Sequence, residues 1–147
     1  MQATAPVRNA TKLLWALVGI GVLRTILTFA LFDSLLDAYV DQQGDTGLSR
    51  EVVENGAPAY RPVALVTGLL FAAGLAAAAL GLSRGRHWAR TLGFVLCVLV
   101  AFGGLISAIA PAPIVFPLLG IANAAVAIAT VVLLAKPDVR TWCMRRR

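Results

Sequence analysis

Arg24 is the residue whose position asks most of its surroundings. It stands inside an otherwise apolar run from Leu13 to Phe32. If that run is a membrane-crossing helix, its rise of about 1.5 Å per residue carries Arg24 roughly 18 Å past Lys12. That depth is near the middle of a hydrocarbon layer about 30 Å thick. A charge there costs at least about 2.5 kcal/mol unless protein, water or a lipid phosphate meets it. Two readings follow: the guanidinium snorkels toward headgroups or Asp33, or it contacts a ligand or partner.

Companions of suitable chemistry recur at similar depth in other apolar runs: Thr28, Thr67, Ser107 and Asn123. Ser and Thr hydroxyls can bond their own helix backbone, whereas a buried amide needs partners from elsewhere. Arg24, Thr67 and Asn123 are therefore the candidate binding residues of an intramembrane polar layer.

The remaining reactive residues do not assemble into a catalytic or metal-binding set. His87 is the single histidine, and Cys97 and Cys143 form no CxxC or other ligand spacing. The carboxylates Asp33, Asp37, Asp41, Asp45, Glu51, Glu54 and Asp138 all fall outside the apolar runs, which disfavours a proton relay through the membrane. The outer carboxylates lack the alternating pattern of a calcium loop. Neither a phosphate-cradling glycine loop, a nucleophile elbow nor an HExxH sequence is present. The expectation is a protein without catalysis of its own, without a cofactor and without a bound metal.

The elements that position these residues are legible from hydropathy. Only 14% of the 147 residues are charged, against about a quarter in soluble domains, and the mean hydropathy is +0.83. Crossing a bilayer takes about 20 apolar helical residues. Four runs qualify: 13–32, 62–82, 92–110 and 118–135. The fold class expected is all-α, a single membrane domain of four transmembrane helices in two hairpins.

Charge sets the expected orientation, because short segments rich in Lys and Arg stay on the cytoplasmic side. Arg8 and Lys12 precede the first run. Arg84, Arg86 and Arg90 lie in the 83–91 turn, and Lys136, Arg140, Arg145, Arg146 and Arg147 follow the fourth run. The acidic 33–61 segment lies opposite. Both termini are thus expected in the cytoplasm, with the protein in the plasma membrane. Arg84, Arg86, Arg90, Arg145, Arg146 and Arg147 are expected to meet anionic lipid headgroups. A net charge of +6 does not imply nucleic acid here, since the bases flank apolar spans rather than forming one wet surface.

Pro62 is expected at the first position of its helix. The sequence PAPIVFP at 111–117 is expected to form a turn, and residues 136–147 a juxtamembrane tail with Trp142 at the interface. Within 33–61, Asp33, Asp37 and Asp41 share a face if the first helix continues. A further short helix is expected between Ser49 as N-cap and Gly56 just past its end. Ridges of small residues, Gly68/Ala72/Ala76 and Gly93/Cys97/Ala101, with a weaker one begun by Gly120, Ala124 and Ile128, suit close helix packing within one chain or in a homo-oligomer.

The segments GRHWAR and VRTWCM, through Gly85, Arg86, Trp88, Ala89, Arg90, Arg140 and Trp142, resemble small four-helix membrane proteins of actinobacteria. In those proteins a basic Trp-containing turn separates two hairpins. The resemblance covers mainly the second half of the chain and implies a plasma-membrane location without assigning an activity.

The leading functional expectation is an accessory or scaffold protein. It would act through helix packing, its acidic outer segment and its basic inner rim, and truncation after Lys136 would then leave the bundle standing. The alternative is a small oligomeric transporter or channel for an anion or lipid, lined by Arg24 and Asn123.

Overall fold

The computed structural model describes residues 5–43, 50–109 and 112–144. Arg145, Arg146, Arg147, Asp45 and the expected N-cap Ser49 lie outside the described residues. Within the described residues the chain forms α1 (Ala5–Ala30), α2 (Phe32–Gln43), α3 (Arg50–Ser83), α4 (His87–Ile109), α5 (Val115–Ala135) and α6 (Pro137–Met144). Four stretches are long and apolar enough to cross a membrane: Ala5–Ala30, Pro62–Ser83, His87–Ile109 and Val115–Ala135.

Helix α1 packs on α3 and α5, and α4 packs on the same two, so the four long helices close a ring with α1 and α4 on one diagonal. Outward faces carry large apolar side chains such as Ile26, Leu70, Phe102 and Leu118, each more than half exposed. In water such a surface would be an aggregation liability; in hydrocarbon it is matched by its solvent.

The buried core fills one half of the ring, the half that carries the α3–α4 turn. Leu14 and Leu17 from α1 meet Leu75, Ala78 and Leu82 from α3, Ala89 and Cys97 from α4, and Ala127 and Leu134 from α5. Small residues let the backbones approach: a Cβ on Gly81 would sit 2.6 Å from that of Ala89. The turn itself is short because Gly85 adopts a left-handed conformation, with φ of 73°. The Arg86 amide then donates to Gly81 O at 2.9 Å and the Gly85 amide to Leu82 O at 3.0 Å, the paired closure that satisfies the last carbonyls of a helix. Helix α4 starts directly afterwards at His87.

The 136–147 segment is more than a juxtamembrane tail. Helix α6 folds back across the turn end of the ring and buries Val139 and Cys143 against the core that holds Val7 and Ala10. The Trp142 indole donates to Leu82 O at 3.3 Å, and Arg90 Nε donates to Leu134 O at 2.9 Å. Side chains from α6 and α4 thus satisfy carbonyls at the ends of α3 and α5, where helices lack internal donors.

Several helix boundaries differ from the sequence reading: α1 starts at Ala5 and ends at Ala30, and α4 starts at His87, inside the expected 83–91 turn. Helix α3 begins at Arg50 and continues unbroken past Gly56, Pro58 and Pro62 through 34 residues, so residues 33–61 are largely helical. A proline removes one backbone hydrogen bond and crowds the preceding turn, yet the ladder continues on both sides of it when flanking residues favour helix. Helix α5 starts at Val115 and takes Pro117 into its first turn, where a missing N–H costs no helical bond. Helix α2 begins at Phe32 and places Asp33, Asp37 and Asp41 one helical turn apart.

Both cysteines are shielded. Cys97 is fully buried and Cys143 nearly so; burial pushes the Cys143 thiol up from its ordinary value, with the nearby Arg90 charge partly offsetting it. A raised thiol pKa lowers the reactive thiolate fraction. Maleimide at neutral pH should therefore label the native protein at least about tenfold more slowly than the SDS-denatured chain. Equal rates before and after denaturation would contradict the packing of α6.

Candidate functional site: a polar cavity within the helix ring

Beyond the core, towards the end of the ring that carries α2, the four helices enclose a cavity of about 430 Å³ instead of closing on one another. Gly21, Arg24, Thr25 and Thr28 line it from α1, a 0, 3, 4, 7 spacing that puts all four on one helix face. Helix α3 contributes Thr67, Gly68 and Phe71 among others, α4 contributes Leu99 and Gly103, and α5 contributes Asn123. Leu17 and Leu75 belong to both the cavity wall and the core, so the core forms its floor.

Close helix contacts flank the cavity on two sides. A Cβ on Gly68 would lie 2.6 Å from Thr25 Oγ1, which brings α1 and α3 together; one on Gly104 would lie 2.6 Å from the backbone oxygen of Gly120, which joins α4 to α5. Helices α3 and α4 touch nearer their turn, at Gly74 and Leu96. Past that level both become cavity walls, and Val63, Thr67 and Leu99 are exposed. The mouth therefore opens sideways, between α3 and α4.

The hydrogen bonds show which polar groups are already occupied. Thr25 Oγ1 donates to Gly21 O at 2.9 Å, Thr28 Oγ1 to Arg24 O at 2.9 Å, and Ser107 Oγ to Gly103 O at 2.8 Å. With its proton committed, the Ser107 oxygen accepts from Arg24 Nη2 at 2.6 Å. This bond runs along the α1–α4 diagonal to the last turn of α4. Among the described residues no carboxylate lines the cavity, so Arg24 gives their surface a positive charge in surroundings of low dielectric, where Coulomb forces are weakly screened.

Asn123 is the other unsatisfied element. It is only 8% exposed, and its buried Oδ1 has no hydrogen-bond partner among the described residues. Leaving such an acceptor unmet costs roughly 1–3 kcal/mol, a cost that a donor brought into the cavity would relieve.

Of the candidate binding residues, Arg24, Thr67 and Asn123 thus line one cavity, with Thr67 at the mouth. Arg84 and Arg86 are exposed at the α3–α4 turn, whereas Arg90 is half-buried and engaged with α5. Sequence reasoning missed Thr25, which repeats the Arg24 face one turn after Gly21, and Gly103, which brings the α4 backbone to the wall. The helical spacing of 21, 24, 25 and 28 was the signal available for Thr25. Among the described residues, no group of three or more His, Cys, Asp or Glu could hold a metal ion.

No family model, curated protein or solved structure matches the chain. Its class therefore rests on its own features: an all-helical chain whose four long apolar helices suit a multi-pass membrane protein. The bundle is distinguished by a cationic cavity open at the side.

Proposed function

We propose that this is a multi-pass plasma-membrane protein, with both termini cytoplasmic, that works by association as an accessory or scaffold subunit. The observation that carries the reading is the separation of charge between the two ends of an apolar-walled bundle. Arg8, Lys12, Arg84, Arg86, Lys136 and Arg140 are exposed around the α3–α4 turn and α6, while Asp33, Asp37 and Asp41 are exposed on α2 at the other end. The basic end fits the cytoplasmic side and its anionic lipids. The acidic α2 and the start of α3 offer a partner a folded surface outside.

A membrane-impermeant maleimide applied to intact cells should label Asp41→Cys and leave Arg84→Cys unmodified, since the native cysteines are buried. The reverse pattern would overturn the orientation. For the association itself, purification in mild detergent should recover a stoichiometric protein partner, and replacing residues 33–61 should abolish its recovery. Turnover or solute flux by the purified protein alone in liposomes, abolished by Arg24→Ala, would replace this reading with a catalytic or transport one.

The cavity favours a second reading, transport of an anion or lipid by an oligomer. Against a path through the single chain stands the cavity floor, where Leu14, Leu82, Ala89 and Leu134 are fully buried. A closed floor suits binding better than conduction.

A further inference from the structure

We infer that the cavity between α3 and α4 is a lateral binding site for the headgroup of a monoanionic phospholipid that carries a hydroxyl donor, of the phosphatidylglycerol type. This rests on the membrane reading of the four apolar helices but is independent of whether a protein partner exists. Three features of the site converge on that chemistry.

Among the described residues Arg24 is the one cationic side chain of the lining, with no carboxylate beside it, so a ligand with one negative charge matches the charge that these residues present. Ser107 takes one guanidinium hydrogen and fixes the group, while an arginine has five to offer and suits phosphate oxygens in pairs. The buried Asn123 Oδ1, without a partner, calls for a donor on the same ligand. A hydroxyl meets that need. An ammonium group would also donate but would bring a second positive charge beside Arg24.

The walls decide between a lipid and a free anion. Val63, Phe71, Leu75, Leu99 and Val100 make most of the surface apolar, which suits a glycerol backbone and the first acyl carbons better than a hydrated ion. About 430 Å³ lies within the usual range of small-molecule pockets, roughly 300–1,000 Å³. It has room for a headgroup while the tails stay in the bilayer. Entry from the side, past the exposed Thr67 and Leu99, requires no passage through the ring. Water could satisfy Asn123 alone, but it leaves Arg24 uncompensated in surroundings of low dielectric.

The full-length protein, extracted in mild detergent, would be titrated with dioleoylphosphatidylglycerol or dioleoylphosphatidylcholine and examined by native mass spectrometry. One phosphatidylglycerol per chain should be retained, about tenfold more tightly than phosphatidylcholine, whose phosphate can also accept from Arg24 but which has no donor for Asn123 and brings a second positive charge. Arg24→Gln and Asn123→Leu should each weaken retention by a similar factor, and Val63→Trp should block the mouth. The last two leave the Arg24–Ser107 bond in place, so the test survives a failure of the Arg24 variant to fold. Equal retention of both lipids, or equal retention by wild type and by Asn123→Leu and Val63→Trp, would overturn the assignment. Displacement of the lipid by millimolar inorganic phosphate would assign the anion site to free phosphate and also overturn it. Release of the protein from membranes by alkaline carbonate would instead show that the membrane reading itself had failed.

Discussion

A chain that ends at Lys136 is expected to lose about 4–7 kcal/mol of bundle stability, judged from the burial of two side chains and one hydrogen bond. Val139 and Cys143 are fully or nearly fully buried, and each such side chain contributes roughly 1.5–3 kcal/mol when water is the alternative. Water is the alternative here, because α6 lies beyond the membrane-length part of α5. Truncation also removes the Trp142 indole from Leu82 O and uncovers Val7 and Ala10. The full-length and shortened proteins can be compared by SDS titration in mixed micelles, read by loss of helical circular dichroism. Coincident curves would mean that α6 is only an appendage, as the sequence reading of a tail implied. Trp142→Phe should cost far less, about 1 kcal/mol, since Leu82 O keeps the Gly85 amide.

The second large effect is expected where α4 and α5 cross. The closest non-bonded neighbour of a Cβ at Gly104 is the Gly120 backbone oxygen at 2.6 Å, and a Cβ at Gly120 would meet the Gly104 oxygen at 2.7 Å. Neither obstacle can rotate away, so a side chain forces the two helices apart along their whole contact. Gly104→Val or Gly120→Val should destabilise by about 3 kcal/mol, at the upper end of overpacking costs. The neighbouring Gly103 makes a sharp control, since its added Cβ meets nothing within 4 Å. Gly103→Ala should be neutral or stabilising by up to about 1 kcal/mol through helix propensity. If all three variants unfolded alike, backbone proximity would not be the cause.

What the sequence disclosed depended on how local each feature was. The apolar runs marked the long helices, because bilayer thickness imposes a length that can be counted along the chain. The basic GLSRGRHWAR stretch marked the α3–α4 turn, although the left-handed glycine that closes it emerges only from the backbone. Pro62 and Pro117 mislead: the sequence places each at a boundary, but a proline costs one helical hydrogen bond without having to end the helix, and both are helical. The docking of α6 was hidden because it depends on Val7, Leu82 and Arg90, three residues far apart in sequence. For the cavity, Asn123 stood out because an amide cannot satisfy itself within its own helix. The pairing of Arg24 with Ser107 was out of reach, since it requires knowing that α1 and α4 face each other across the diagonal. Gly104 escaped notice beside the ridge of Gly93, Cys97 and Ala101, because its partner lies on another helix.

The length of α3 has a consequence of its own. Were it straight through Pro58 and Pro62, a helix of 34 residues would be about 51 Å long at 1.5 Å per residue, whereas the hydrocarbon slab is about 30 Å thick. The stretch from Pro62 to Ser83 accounts for roughly 33 Å by the same rise, enough to fill the slab, and leaves about 18 Å of rod above it. Helix α2, with 12 residues, is also about 18 Å long and packs against α3. Together they make a two-helix post. In the proposed membrane orientation a headgroup layer of about 5–7 Å would cover only the base of such a post, and its upper part would stand clear of the lipid, within reach of an antibody fragment or protease from the side.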